Sequence, residues 1–365
     1  MKRIALFIGS LQKGGSERVM VNLAEYLHKK KYEVILVTQY KREDEYEISS
    51  EIRRVFSEPD EMKLQGNRIK NYLARFQSLR DIWKAYKPDV ILSFLGKNNL
   101  MAIATAMFLP VRVAVSVRGE PTMEYEGKKM QVLAKFIFAL ADGVVLQTKQ
   151  CMEFFPKYIQ KKAVILPNPI NEQFLNRECN GMKDNLIVAV GRVDENKNHK
   201  MLIRAFEEIA PEYPQMRLVI YGDGNERENL QQLVEEKGLS NRIILPGNVK
   251  DVASHICRAK IYALTSNTEG MPNSLIEAMA LGLTVVSTNC PCGGPEMLIK
   301  DGVNGLLIPV GDAQALADAF RRILADSELA NLLGTNAKQI AEELHPDKVN
   351  LKWEQYLSGI NSKKK

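Results

Sequence analysis

The sequence predicts an α/β protein made of two doubly wound parallel sheets in tandem. Short β-branched or apolar runs alternate with amphipathic helical segments, as in βα units on a parallel sheet. The alternation stops at Leu166-Pro167-Asn168-Pro169, whose prolines cannot continue a helix, and then begins again. With 365 residues, 45% of them hydrophobic, the chain is long enough for two domains.

The first predicted domain, residues 1–168, is Rossmann-like. Its strand candidates are Arg3–Gly9, Glu33–Thr38, Asp89–Phe94, Arg112–Val117, Gly143–Gln147 and Ala163–Leu166. A helix is predicted over Ser16–Lys30, since Val19, Leu23 and Leu27 recur at helical spacing.

The second predicted domain, residues 169–346, repeats the pattern. Its strand candidates are Leu186–Val190, Arg217–Tyr221, Arg242–Leu245, Ile261–Leu264, Thr284–Ser287 and Gly305–Ile308. Helices over Gln314–Leu324, Glu328–Glu343 and Lys348–Leu357 follow the last strand. We expect the C-terminal helix, in residues 347–365, to pack back on the first domain.

Composition narrows the class of protein. Five cysteines, an odd count without C-x-x-C spacing, predict a reducing, cytoplasmic environment. Cys290 and Cys292 lack the neighbouring ligands that a metal site needs. The apolar run Ile4–Ile8 is too short for a signal peptide, and we expect no membrane-spanning segment.

Positive charge is concentrated in the first half. Residues 1–170 hold 28 Lys and Arg against 18 Asp and Glu, whereas the remainder holds 22 against 26. This excess suggests an anionic partner, whether nucleic acid, a phosphorylated substrate or a membrane surface. The terminal Lys363-Lys364-Lys365 lacks an aromatic-interleaved basic motif, so we expect no nucleic acid.

One basic segment, Lys63 to Lys87, is a candidate membrane-surface helix. It carries seven basic residues against one acid, Asp81. Its apolar residues at helical spacing are Ile69, Tyr72, Leu73, Phe76 and Trp83. The alternative is a solvated helix whose apolar face packs on the first sheet.

Two loops at predicted strand ends carry features that suit phosphate. Gly14 and Gly15 permit close backbone approach, and Ser16 is predicted as the N-cap of a helix whose positive end attracts anions. Arg192 and Lys197 follow the first strand of the second domain and could grip a diphosphate. The alternatives are a turn that only packs its helix, and a solvated charged loop.

The third loop follows the predicted strand Ile261–Leu264 and leads into the segment Glu269–Glu277. Ser274 and Glu277 fit an S-x-x-E capping box, which is a structural role. Glu269 precedes this box, and its carboxylate could accept hydrogen bonds from sugar hydroxyls. The segment Met271-Pro272-Asn273-Ser274 would then present helix N-terminal amides to phosphate.

Together these motifs resemble family 4 retaining glycosyltransferases of GT-B fold. The resemblance rests on E-x7-E (Glu269, Glu277), G-R-x4-K (Gly191, Arg192, Lys197), the Gly14-Gly15 loop, Asn168-Pro169 and Gly222-Asp223-Gly224. It covers essentially the whole chain. It implies two Rossmann-like domains that face each other across a cleft.

The resemblance also implies roles for matching residues. Arg192 and Lys197 would neutralise the donor diphosphate and act in catalysis with Glu269, which would contact the transferred sugar. Glu277 would hold the ribose hydroxyls. The remaining implied nucleotide-sugar contacts are Gly14, Gly15, Met271, Pro272, Asn273 and Ser274, with Asn248 and Val249 at the base.

The sequence departs from the family pattern at Arg118, where many relatives carry His. Arg118 or Glu120 could bind the sugar or an anionic acceptor, and a structural ion pair is the alternative. No D-x-D occurs, so we expect neither a metal nor another cofactor. Arg192 and Lys197 would take the place of the metal.

The resulting expectation is a cytoplasmic retaining glycosyltransferase at the inner membrane face. It would use a UDP-hexose or UDP-N-acetylhexosamine and a lipid-linked or surface saccharide acceptor. The alternatives are a GDP-mannose-dependent mannosyltransferase, a UDP-N-acetylglucosamine 2-epimerase and a non-catalytic saccharide-binding protein. The sequence does not identify the sugar, because selectivity depends on a few hydroxyl contacts.

Overall fold

The chain divides into two compact units, each built on one parallel sheet. The computed structural model describes residues 2–59, 67–175, 177, 179 and 181–360. By backbone contacts the first unit is Met1–Asn168 with Asp347–Lys365, and the second is Pro169–Pro346. The predicted α/β class with two doubly wound sheets is confirmed.

The first unit contains seven strands and eight helices within its described residues. The strands are β1 (Arg3–Ile8), β2 (Glu33–Thr38), β3 (Arg53–Phe56), β4 (Val90–Phe94), β5 (Arg112–Ser116), β6 (Gly143–Leu146) and β7 (Ala163–Ile165). The helices are α1 (Gly15–Lys29), α2 (Arg68–Tyr86), α3 (Gly96–Ala106), α4 (Pro121–Glu124), α5 (Lys128–Phe138), α6 (Lys149–Glu153), α7 (Lys157–Gln160) and α16 (Pro346–Gly359).

The sheet of the first unit has the order β3-β2-β1-β4-β5-β6-β7, and all its pairs are parallel. The order reverses between β1 and β4, which makes a topological switch point at their carboxyl ends. Helix α3 packs between α2 and α5.

Helix α16 belongs to the first unit although it lies at the end of the chain. Trp353 is fully buried, with its ring centroid 5.7 Å from that of Phe94. Tyr26 Oη on α1 donates a hydrogen bond to Glu354 Oε2 at 2.9 Å. These contacts attach α16 to the sheet and to α1.

The second unit contains six strands and eight helices among its described residues. The strands are β8 (Asp184–Val190), β9 (Arg217–Tyr221), β10 (Ile243–Gly247), β11 (Ala259–Leu264), β12 (Thr284–Thr288) and β13 (Leu306–Ile308). The helices are α8 (His199–Ile209), α9 (Arg227–Glu236), α10 (Val252–Ile256), α11 (Asn273–Ala280), α12 (Gly294–Leu298), α13 (Ala313–Ala325), α14 (Ser327–Ala337) and α15 (Ile340–Glu343).

The sheet of the second unit has the order β10-β9-β8-β11-β12-β13, again with parallel pairs. The order reverses between β8 and β11, so these strands flank the switch point. Helices α8 and α13 pack on each other, and their Phe206 and Phe320 are fully buried. The loops after β8 and β11 therefore project from a rigid core.

Helix α2, which lies in the basic segment, is buried along its C-terminal half and exposed in its first turns. Its C-terminal half packs inward, since Leu79 and Trp83 are each 2% exposed. Its first turns instead expose Ile69, Tyr72 and Leu73. Lys63 and the terminal lysines 363–365 lie outside the described residues.

Two features of the predicted elements differ from the structure. Strand β3 was not predicted, because Arg53-Arg54-Val55-Phe56 is short and half charged at a sheet edge. The predicted helix Glu328–Glu343 is two helices, α14 and α15. Within the described ranges, no helix is long and apolar enough to cross a membrane.

Candidate active site

A partly buried ion pair lies at the switch point of the second sheet. Lys197 Nζ follows β8 and lies 2.5 Å from Glu269 Oε1, which follows β11. Both side chains are about one-seventh exposed, at 14% and 13%. Ser266 Oγ donates a second hydrogen bond to Glu269 Oε1 at 2.6 Å. The two predicted loops therefore converge on one polar centre.

The loops that carry this pair are joined by a second set of hydrogen bonds. Asn196 Nδ2 donates to Thr268 O at 3.0 Å, and Thr268 N donates to Asn196 Oδ1 at 3.1 Å. Asn267 N donates to Asn196 O at 2.7 Å. Thr265 Oγ1 donates to Lys197 O at 2.8 Å. These bonds fix the position of Lys197 relative to Glu269.

Glycines allow neighbouring loops to pack on the same edge. A Cβ at Gly222, which has φ +136°, would lie 1.8 Å from Gly191 O. A Cβ at Gly294, at the start of α12, would lie 1.9 Å from Gly270 O. Because no side chain fits into either space, these positions require glycine.

The predicted capping box at the start of α11 is wrong. The helix begins at Asn273 with Pro272 as its N-cap, and no side chain caps it. Ser274 lies inside the first turn and accepts a hydrogen bond from Tyr262 Oη at 2.8 Å. Glu277 is only 6% exposed and lies one turn into the helix. The positive end of α11 thus lies on the loop that carries Glu269.

The other predicted residues of the second unit lie at the same sheet edge but are more exposed. Arg192 follows β8, and its side chain is 78% exposed and 3.2 Å from Asp194 Oδ2. Asn248 and Val249 directly follow β10, the edge strand. Asn248 is exposed and Val249 half-buried.

Burial shifts the pKa values of two groups near the ion pair. His199 is 4% exposed, and burial lowers its pKa to about 4. The like charge of Lys197 acts in the same direction. Burial raises the pKa of the Cys290 thiol to about 12, with a contribution from Glu269. Both groups are therefore neutral at pH 7.

The glycine loop of the first unit begins α1 differently from the prediction. Gly14, with φ −130°, is the N-cap, so Ser16 is inside the helix and the predicted Ser16 cap is wrong. A Cβ at Gly14 would lie 2.3 Å from Glu17 Oε2. The loop therefore places a carboxylate at the helix N-terminus.

Arg118 is buried at the carboxyl end of β5. Its side chain is 7% exposed, Nη2 donates a hydrogen bond to Asn168 Oδ1, and the guanidinium lies 4.5 Å from the Phe94 ring centroid. Nε and Nη1 have no hydrogen-bond partner among the described residues. Burial lowers the pKa of Arg118 to about 10.

Glu124, which the sequence analysis missed, shapes the loop around Arg118. Its Oε1 accepts hydrogen bonds from the amides of Arg118 at 2.8 Å and Gly119 at 2.7 Å. Its Oε2 accepts from the Gly96 amide at 2.8 Å. Glu120 is instead the N-cap of α4, and its Oε1 accepts hydrogen bonds from the Thr122 amide at 3.5 Å and from Thr122 Oγ1 at 3.0 Å. The one sequence signal for this role of Glu124 is its position 6 residues after Arg118.

A large cavity of the second unit lies away from these residues. Its volume is about 1310 Å³, and its lining includes Asn185, Lys260 and Thr284 at the amino ends of β8, β11 and β12. The ion pair lies at the opposite, carboxyl edge, where open α/β sheets bind ligands. We therefore place the candidate site by topology and chemistry rather than by cavity size.

Sequence comparison identifies the family. Residues 13–174 match the family described as Glycosyltransferase Family 4, and residues 172–340 match Glycosyl transferases group 1. Together the two matches run from the glycine loop to the start of α15. The fold is thus that of GT-B glycosyltransferases, and the chain belongs to this family of enzymes.

Two relatives from Campylobacter jejuni align over almost the entire chain. An α-1,4-N-acetyl-D-galactosaminyltransferase, named for a GalNAc-containing diphospho-undecaprenol, is 26% identical over 99% of this chain and 100% of its own length. An N-acetylgalactosamine-N,N'-diacetylbacillosaminyl-diphospho-undecaprenol 4-α-N-acetylgalactosaminyltransferase is 29% identical over 98% and 100%.

Solved structures show the same fold. HepE of Anabaena in complex with UDP and glucose matches with a TM-score of 0.83 and 16% identity, over 98% of this chain and 100% of that one. Sucrose-phosphate synthase from Thermosynechococcus elongatus also has a TM-score of 0.83, with 20% identity over 97% and 98%. At these identities the likeness establishes the fold alone.

Proposed function

We propose that this glycosyltransferase moves a hexose or N-acetylhexosamine from a UDP-sugar to a lipid-linked saccharide, with retention of anomeric configuration. The observation that carries the proposal is the partly buried Lys197–Glu269 pair at the switch point of the second sheet. Two relatives named for diphospho-undecaprenol acceptors support the acceptor class. A fold relative solved with UDP and glucose supports the donor.

Lys197 and Arg192 are proposed to stabilise the leaving group. When the bond between sugar and diphosphate breaks, its electron pair remains on the diphosphate, where negative charge grows. An ammonium has three donors, and Glu269 Oε1 takes one from Lys197. The more exposed Arg192 can reorient toward the same charge. The positive end of α11 adds to this field.

The carboxylates and the remaining loops are proposed to orient the donor. Glu269 contacts the transferred sugar, and Glu277 holds the ribose hydroxyls. Met271, Asn273 and Ser274 lie near the phosphates. Asn248 and Val249, at the end of the edge strand β10, hold the base.

The acceptor hydroxyl supplies the oxygen of the new glycosidic bond, and its proton passes to the departing diphosphate, which takes up the electron pair of the broken bond. Arg118 is proposed to act on the acceptor side, because it lies on the first unit at the carboxyl end of β5. The protein would work at the cytoplasmic face of an anionic membrane, where lipid-linked saccharides are reached. The basic character of residues 1–170 supports this location.

The decisive experiment is product analysis with UDP- and GDP-sugars, each with and without a lipid-linked saccharide. We expect UDP release and a lengthened acceptor only when a UDP-sugar and the acceptor are both present. Coupling constants of the new anomeric proton test retention. A preference for GDP-mannose would replace the proposal by a mannosyltransferase. A 2-epimer formed without acceptor would replace it by an epimerase, and binding without turnover by a non-catalytic saccharide-binding protein.

A further inference from the structure

Helix α5 presents an apolar stripe to solvent. Val132, Leu133 and Phe136 are 54%, 47% and 69% exposed, and Leu140, two residues after the helix ends, is 58% exposed. Phe136 follows Val132 by four residues and Leu133 by three, and Leu140 follows Phe136 by four, so these positions lie along one side. The opposite side is buried, as the fully buried Phe138 shows. Helices in proteins that stay in water normally turn such a stripe inward.

The stripe is accompanied by positive charge. Helix α5 contains Lys128, Lys129 and Lys135 and no acidic residue. The segment Lys149–Lys162 adjoins it, because Lys162 Nζ donates a hydrogen bond to Ala139 O at 2.7 Å. That segment carries four lysines against one glutamate. An apolar stripe with cationic flanks complements an anionic lipid surface.

We propose that α5 docks the protein on an anionic bilayer, with its apolar stripe at the boundary of headgroups and acyl chains. The lysines at the start of α5 would contact lipid phosphates. The proposal names the membrane contact of the proposed function, and it rests on that function for the choice of partner. A second copy of the chain fits less well, because pairing two α5 helices would bring six lysines together.

Helix α2 has a different part in this arrangement. Its exposed apolar residues, Ile69, Tyr72 and Leu73, lie in the first two turns, while Trp83 is buried. Helix α3 packs between α2 and α5. We therefore expect α2 to add electrostatic attraction, and α5 to supply the apolar surface that enters the lipid.

The test is sedimentation of the full chain with vesicles of phosphatidylglycerol and phosphatidylcholine, without any substrate. The double variant Leu133→Asp/Phe136→Asp should bind at least about tenfold more weakly, since two apolar contacts with lipid become charged. Leu332→Asp is the matched control, because Leu332 is 55% exposed on the second unit. This control should bind like the wild type.

A charge variant separates the apolar from the electrostatic contribution. Lys128→Glu/Lys129→Glu should reduce binding to anionic vesicles and leave weak binding to neutral ones unchanged. Equal binding by the wild type and the Leu133/Phe136 variant would overturn the proposal. So would a wild-type dimer in light scattering that the same variant dissociates, because the stripe would then be an interface between copies.

A failure of membrane docking can be distinguished from a failure of the proposed glycosyltransferase function. Vesicle binding requires neither donor nor acceptor, so docking can be present in a protein that transfers no sugar. The α5 variant should retain the wild-type melting temperature and transfer to an acceptor dissolved in detergent. A variant that melts early is replaced by Phe136→Ser alone. Loss of vesicle binding by α2 variants while α5 variants bind normally would also overturn the assignment to α5.

Discussion

Lys197 and Glu269 are 72 positions apart in the sequence and 2.5 Å apart in the structure. Each was predicted as a site residue from its position after a strand. Their pairing was not predicted, because strand order, which brings the ends of β8 and β11 together, is not contained in local sequence. The partial burial of both side chains in turn makes the pair sensitive to loss of either partner.

Arg118 gives the first prediction at the residue scale. Arg118→Ala should depress sugar transfer and leave the affinity for free UDP nearly unchanged, because most of the proposed UDP contacts lie on the second unit. Arg118→Lys should restore transfer only in part, since a lysine lacks the planar fork of donors. Transfer kinetics and calorimetric titration with UDP measure the two quantities.

Asn168→Ala is the control for a purely structural role of Arg118. It removes the oxygen that accepts hydrogen bonds from both Arg118 Nη2 and Gln147 Nε2. If it depresses transfer as strongly as Arg118→Ala, Arg118 acts only as a structural cross-link. A large loss of UDP affinity in Arg118→Ala would instead move Arg118 into the nucleotide site.

His199 gives a prediction about pH and stability. Its pKa in the folded protein is about 4, below the value of 6.5 for an exposed histidine. The unfolded state therefore takes up a proton first as pH falls, and stability present above pH 6.5 is lost toward pH 4. Between pH 7 and pH 5, the contribution of His199 to the free energy of unfolding should fall by about 2 kcal/mol.

Urea unfolding of the wild type and His199→Leu at both pH values checks this contribution. The variant should lose about 2 kcal/mol less than the wild type over the same interval. An identical pH dependence in the two proteins would contradict the assignment of a buried, neutral His199.

At the scale of elements, the sequence predicted most strands within one or two residues. Arg217–Tyr221 was predicted with the bounds of β9, because an apolar run between helices is a strong local signal. Helix starts were less predictable. Ser16 and Ser274 both fit the residue preference of an N-cap, yet the N-caps in the structure are Gly14 and Pro272, two residues earlier.

Loop packing at the carboxyl edge gives a prediction for Gly294. Gly294→Ala places a methyl group 1.9 Å from Gly270 O, so the backbone beside Glu269 must shift. We expect a loss of about 1–3 kcal/mol in unfolding free energy and weaker UDP binding. Gly359→Ala, where no atom lies within 4 Å of the new Cβ, should change neither. Wild-type UDP affinity in Gly294→Ala would argue against a nucleotide site on this loop.

At the scale of the whole molecule, the sequence showed that positive charge is concentrated in residues 1–170. It did not show which anionic partner this charge attracts. The α5 stripe escaped prediction, because amphipathic spacing does not say which side of a helix meets the core. Only the exposure of Phe136 and its neighbours in the structure shows that the apolar side of α5 faces solvent.

Response to chelation is a prediction for the enzyme as a whole. We expect transfer to survive excess EDTA, because protein cations and helix N-termini are proposed to balance the charge of the diphosphate. Initial rates with and without chelator measure this. Complete loss that Mg²⁺ or Mn²⁺ restores would show that a metal takes part.

The most direct test of the central claim is transfer from a UDP-sugar to a lipid-linked saccharide by Lys197→Ala. Lys200→Ala is the matched control, since Lys200 lies on the same unit, 52% exposed, and pairs with Glu226 at 3.0 Å. We predict that kcat/KM falls about a hundredfold or more in Lys197→Ala, with the melting temperature followed in parallel, and stays near wild type in Lys200→Ala. A near-normal rate for a folded Lys197→Ala would contradict the claim and place the chemistry elsewhere.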